Sequence, residues 1–197
     1  RYQGAYPEEV YDTFSKDSIN AASIGQVHKA TKGGKTLAVK IQYPGVADSV
    51  KSDLALVKPV ALRMFNLKGQ DTDKYFKEVE DKLIEETDYV LEVEQSQEIS
   101  KACSVIKNIS FPTYYPSMSN TRIITMDWIQ GEHLSEYVAK PFSEAHGNLL
   151  GQALWDFYMY QIHVLRKVHA DPHPGNFLIR TSKTQVGNPE LVAIDFG

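Results

Sequence analysis

The chain has 197 residues, 42% of them hydrophobic and 23% charged, with a net charge of -4 at pH 7. That length supports one large or two small domains with a substantial core, and the mixed charge without a long basic run argues against nucleic acid as the main partner. A single cysteine, Cys103, excludes an intrachain disulfide and fits a reducing, intracellular setting, while no apolar run reaches the roughly 18 residues a membrane span needs.

Residues 1–19 read as a lead-in with one short helix. "SIGQVHKAT" (23–31) and "KTLAVKIQY" (35–43) then flank Lys32-Gly33-Gly34, a strong hairpin signal. In the second run Leu37, Val39 and Ile41 alternate with Ala38, Lys40 and Gln42, which sets Lys40 on the face opposite Val39. Helical spacing covers 46–67. The longest helix candidate spans 73–103, with Phe76, Val79, Leu83, Val90 and Val93 as its apolar stripe and Asp73 as its cap. A strand is expected over 122–128, carrying Met126, with a turn at Gly131. Residues 143–168 read as an apolar helix buried on much of its surface. They deliver the chain into "HADPHPGNFLI" (169–179), after which "NFLI" and "LVAID" form two short strands around a polar loop, 180–190. Opening on Arg1, with no signal-peptide pattern, and closing on "AIDFG", the sequence reads as a fragment.

The segment "HADPHPGN" admits three readings: a metal site, a catalytic loop or a tight turn. As a metal site it would use His169, Asp171 and His173, but His28, His133, His146 and His163 have no ligand-like neighbours to complete it. As a catalytic loop it matches H-x-D-x-x-x-x-N, with Asp171 five residues before Asn176. The match gains weight from its place, after a long helix and before a hairpin ending in Asp195-Phe196-Gly197. Phosphoryl transfer from a nucleotide needs a strand lysine for the phosphates and a helical acid to fix it. It also needs an aspartate for the acceptor, and an asparagine with a second aspartate for the metal. Lys40 taken alone would be an ordinary exposed strand lysine; the downstream set reverses that. Where a kinase has G-x-G-x-x-G-x-V, this chain has "NAASIGQV" (20–27), keeping only Gly25. The Ala22 Cβ resists positive φ, so this loop should be stiffer.

"AASIGQVH", "AVKIQYPG", "EETDYVLEVEQ", "HADPHPGNFLI" and "AIDFG" resemble the UbiB/AarF-type atypical kinases linked to ubiquinone and other isoprenoid-quinone biosynthesis, over 20–197. The resemblance implies an α+β, two-lobed protein-kinase-like fold. Its antiparallel-sheet N-lobe would occupy 1–129 and its helical C-lobe would start at 130 and be truncated after the Asp-Phe-Gly. It implies ATP and Mg2+ as cofactors. Ala21, Ala22, Ser23, Gly25, Val27 and Met126 would line the nucleotide with Lys40. Glu92 would be the lysine's helical partner, Asp171 the catalytic-loop aspartate, and Asn176 and Asp195 the metal ligands. Glu86-Thr87-Asp88 matches the family's E-x-D motif. On a continuous helix Glu86 and Asp88 would point about 200° apart, so they share a task only if the helix breaks there. The family's K-x-G-Q motif is expected ahead of the alanine-rich loop. Lys68-Gly69-Gln70 lacks its spacer residue, follows Lys40 and does not stand in for it.

The function so implied is an Mg2+-dependent atypical kinase or ATPase supporting quinone biosynthesis. Its partners would be ATP, a lipid or quinone intermediate and quinone-biosynthesis proteins. It would be intracellular, cytoplasmic or membrane-associated through segments outside this chain, and mitochondrial in a eukaryote. Two alternatives stay open. A small-molecule phosphotransferase of the aminoglycoside/choline-kinase type shares the H-x-D-x-H-x-x-N look but is not expected to carry "NAASIGQVH". A nucleotide-gated scaffold without chemistry is the other.

Overall fold

Gly33 and Gly34 both adopt positive φ, 56° and 76°, the backbone that a two-residue hairpin turn requires. They join strands that pair antiparallel in full register, from Lys32↔Lys35 to Gly25↔Gln42. The computed structural model describes residues 4–22, 24–64, 70–168 and 173–195. Its first part runs α1 (Pro7–Val10), β1 (Thr13–Phe14), β2 (Asn20–Ala22), β3 (Gly25–Lys32) and β4 (Lys35–Gln42). Then come α2 (Val46–Met64), α3 (Gln70–Glu86), α4 (Tyr89–Ala102) and β5 (Ile109–Ser110). The chain continues through β6 (Ile123–Asp127), β7 (Glu132–His133), α5 (Leu134–Val138), α6 (Glu144–Tyr160), β8 (Phe177–Thr181) and β9 (Pro189–Ala193).

Two sheets result. One has the order β1-β3-β4-β6 with β2 added on β3, and all its pairings are antiparallel. The other has the order β5-β9-β8-β7. The α+β architecture agrees with a kinase-like fold. Residues 128–131 link the sheets. At their start a hydrogen-bonded chain from Lys35 Nζ to Tyr115 Oη (3.1 Å) and on to Asp127 Oδ1 (2.7 Å) fixes the end of β6.

Expectation and structure part at three places. β4 keeps Lys40 on the face opposite Val39, yet that lysine is no exposed strand residue, for both faces are covered: Leu37, Ala38, Val39, Lys40 and Gln42 are all buried. Leu37 and Val39 pack with Tyr11 and Ala30 under the lead-in, while α4 covers the other face. The acidic stretch is not one helix from 73 to 103. It breaks at Thr87-Asp88, so Asp73 lies inside α3, paired with Lys58 at 2.7 Å, and the helix cap is Asp88. Because the break resets the rotation, Val90 turns out to solvent and Tyr89 takes the inward place beside Val93. Finally, α6 buries one face only. Leu150, Ala153 and Phe157 point inward, whereas Trp155 remains 62% exposed and Ile162 and Val164, on the π-helical turn that follows, are also exposed.

The main core joins α4, β6, α6, β8 and β9 through Tyr89, Val93, Ile124, Phe157, Phe177, Ile179 and Leu191. It therefore holds the two sheets to one another.

Candidate active site

Directly paired residues on neighbouring strands share a face of the sheet. The register Val27↔Lys40↔Ile124 and Lys29↔Ala38↔Met126 thus puts Val27, Ala38, Lys40 and Met126 on one face. Ala22, paired with Gly25, belongs to it, whereas Ala21, paired with Gln26, lies on the opposite face and is exposed. Ser23 lies outside the described residues.

On that face Lys40 Nζ sits 2.8 Å from Glu92 Oε1 and 3.5 Å from Asp195 Oδ2. Each partner arrives by a different route. Asp88 caps α4, its Oδ1 accepting from the N–H groups of Val90 (3.0 Å) and Leu91 (3.3 Å), as a short acid does at a helix start. One turn later the same face presents Glu92. Gln42 Nε2 ties the break to β4 by donating to the Thr87 carbonyl at 2.9 Å. Asp195 follows β9. The Ile194 N–H donates to the Asn176 carbonyl at 3.0 Å and the Ile194 carbonyl accepts from Tyr114 Oη at 3.3 Å. Asn176 and Asp195 are thereby brought to neighbouring backbone positions.

The electrostatics are those of a buried cation between two acids. Burial opposes the Lys40 ammonium, but the Asp195 and Glu92 carboxylates outweigh it and hold its pKa above the ordinary lysine value. Burial, with the Asp195 charge adding to it against the Lys40 pull, pushes Glu92 up to about 7. Such a pair is weak as a source of net stability, since desolvation offsets much of its attraction. It does fix the place of a buried amine between two acids.

Glu86 ends α3, exposed, and neither it nor Asp88 contacts Lys40 through any described hydrogen bond or ion pair. Asp171, with His169, and the Phe196-Gly197 end of the Asp-Phe-Gly lie outside the described residues. His173 caps the 3-10 turn Pro174–Asn176, its Nδ1 accepting from the Gly175 N–H at 3.0 Å. Among the described residues no cluster of three or more His, Cys, Asp or Glu forms a metal-binding group. The hard oxygens of Asn176 and Asp195 nevertheless suit Mg2+, which takes one or two protein ligands alongside phosphate and water.

The sequence pattern of the ABC1 atypical kinase-like domain matches residues 2–197. The chain belongs to this family. Among curated relatives, the Drosophila melanogaster AarF domain-containing kinase 1 is 31% identical over 198 residues, 97% of this chain and 37% of its own length. The atypical kinase coq-8 of Caenorhabditis elegans, a mitochondrial protein, is 28% identical over 191 residues, 96% of this chain and 25% of its own. An Arabidopsis thaliana aarF domain-containing kinase, 29% identical over 194 residues, is chloroplastic and is spanned to 26%. The chain thus covers 25% to 37% of the length of these relatives. A solved structure, the Mycobacterium tuberculosis protein Rv3197 in complex with erythromycin, superposes with a TM-score of 0.79 at 27% identity, covering 99% of this chain and 48% of the other. As in the UbiB/AarF resemblance, the fold is kinase-like. No helix among the described residues is long and apolar enough to cross a membrane.

Around Lys40 of this ABC1-family chain, three residues escape a reading of motifs. Tyr89 lies under the lysine, with Lys40 Nζ 5.1 Å from its ring centroid. Tyr114 and Gln42 hold the backbones that carry Asp195 and Glu92. Only Tyr89 leaves a sequence trace, one helical turn before Glu92.

Proposed function

We propose that the protein of which this chain is part is an ATP-binding, Mg2+-dependent atypical kinase or ATPase serving isoprenoid-quinone metabolism. The observation that carries the reading is the Lys40–Glu92–Asp195 cluster: an ammonium 2.8 Å and 3.5 Å from two carboxylates, on a face shared with Ala22, Val27 and Met126. In this reading Lys40, oriented by Glu92, grips the nucleotide phosphates, and Met126 and Val27 bound the base. Asn176 and Asp195 would hold Mg2+, which neutralises phosphate charge when bound. Asp171 orients the acceptor hydroxyl or water and takes its proton as the new P–O bond forms and the β–γ bridging bond of ATP breaks, leaving ADP. The quinone assignment follows the UbiB/AarF resemblance and the kinship to coq-8.

Thermal-shift titration of the full-length protein with ATP, with and without Mg2+, tests the proposal, because a ligand selective for the folded state raises the melting point. Wild type should show an Mg2+-dependent rise, and Asp195→Asn should keep the fold and lose most of the Mg2+ dependence. An equal response in both proteins removes Asp195 from the metal role.

A further inference from the structure

Gln42 is the last residue of β4 and is buried, at 5% exposure. Two positions after Lys40 on the same strand, it shares that lysine's face of the sheet. An amide buried there is costly unless it is paired. Its Nε2 donates to the Thr87 carbonyl at 2.9 Å, just past the end of α3, where helix carbonyls lose their partners.

Main-chain bonds close the same junction. The Gln42 N–H donates to the Arg122 carbonyl at 2.9 Å, and the Tyr89 N–H to the adjoining Thr121 carbonyl at 3.4 Å. The N–H groups of Val90 and Leu91 go to Asp88 Oδ1, and that of Glu92 goes to the Asp88 carbonyl at 3.1 Å. Each N–H from Tyr89 to Glu92 therefore has a partner.

Spacing makes the two side-chain contacts compatible. Two strand residues span about 6.6 Å, and the five positions from Thr87 to Glu92 advance about 7 Å at the helical rise. α4 thus runs back along β4, held at Thr87 by Gln42 and at Glu92 by Lys40. The Glu92 contact joins charges, for which nucleotide phosphates would compete. The Thr87 contact joins neutral groups and keeps its strength.

We infer that Gln42 is a positioning residue: by holding the start of α4 on β4 it keeps Glu92 on Lys40, so that the lysine is preset for phosphates and needs no swing of α4. This rests on the nucleotide reading of Lys40.

Gln42→Met keeps the length of the side chain and removes its donor. In the full-length protein, calorimetric titration should show Mg-ATP bound about fivefold to tenfold more weakly by the variant. Adenosine, which has no phosphate to reach Lys40, should bind as in wild type. With Glu92→Gln already in place, adding Gln42→Met should weaken Mg-ATP by about twofold or less, since the carboxylate it positions is gone. Gln42→Asn, one methylene too short to reach Thr87, should repeat the loss. Hydrogen exchange of the wild type needs no variant: amides 89–92 should be protected without nucleotide, and Mg-ATP should slow them no more than those of β9. Marked ordering of 89–92 by Mg-ATP would overturn the preset lysine. Unaltered Mg-ATP binding in both Gln42 variants would overturn the positioning role and leave the nucleotide reading intact. So would equal weakening for ATP and adenosine, or a full additive loss on top of Glu92→Gln, either of which marks a merely structural glutamine. No Mg-ATP binding by wild type would overturn the nucleotide reading and this inference together.

Discussion

Lys40 is buried with its side chain 8% exposed, and its charge is met by Glu92 at 10% and Asp195 at 36%. Removing the cation leaves the buried Glu92 carboxylate unpaired beside Asp195. Lys40→Met should therefore cost about 3–5 kcal/mol of unfolding free energy, measured by urea denaturation. Glu92 adds a pH signature. Its folded pKa of about 7 stands above the ordinary glutamate value of 4.5, so the folded state holds the proton more tightly than the unfolded one. Its contribution to stability is greatest below about pH 4.5 and declines as pH rises to about 7. Replacing it with glutamine should flatten the pH dependence of the melting temperature across that window; an unchanged slope would mean Glu92 does not titrate there. The identities of Lys40 and Glu92 were readable from "LAVK" and "EETDYVLE". Their mutual distance was not, because nothing local in either segment specifies it.

At the scale of elements, the break between α3 and α4 does most to shape the site. Residues 73–103 contain no Gly or Pro and many good helix formers, so local propensity favours a single helix. What ends α3 is Asp88 accepting from two N–H groups of the next helix, together with Gln42 gripping the Thr87 carbonyl from β4. Asp88→Ala should cost about 1 kcal/mol and speed hydrogen exchange in the first turn of α4, reaching Glu92. Protection unchanged there would show that β4 alone holds the break. The β3–β4 hairpin, by contrast, was plain in the sequence, since two glycines between alternating strands leave little choice. β2 was not: Asn20–Ala22 is three residues long, exists as strand only through pairing with β3, and looks like loop by itself.

Across the whole molecule, Phe157 sits where the layers meet. It is fully buried, with ring centroids 5.9 Å from Phe111 and 6.3 Å from Phe177. Phe157→Ala should cost about 3–5 kcal/mol. Because the same cluster contains Tyr89 and Ile124, the loss should weaken the nucleotide-induced thermal shift as well as basal stability. A destabilised variant with a full nucleotide shift would mean the core and the cleft are uncoupled. Further surface signals come from α6 and the π-helical turn after it, where an apolar composition suggested deep burial but Trp155, Ile162 and Val164 face solvent. Composition counts apolar residues without saying which faces find a partner.

The sequence by itself determined the chemistry: the residue types, their order along the chain, the glycine turn and the family they mark. Those are properties of short segments, where side-chain identity and spacing carry the information. Tertiary structure decided the convergence. Lys40 and Asp195 stand 155 positions apart and meet at 3.5 Å because a shared core draws β6, α4 and β9 together. It also decided which face of β2 carries Ala22 rather than Ala21, and that Tyr89 rather than Val90 turns inward under the lysine. Burial and register depend on what packs against a segment, and that packing is made by residues far along the chain.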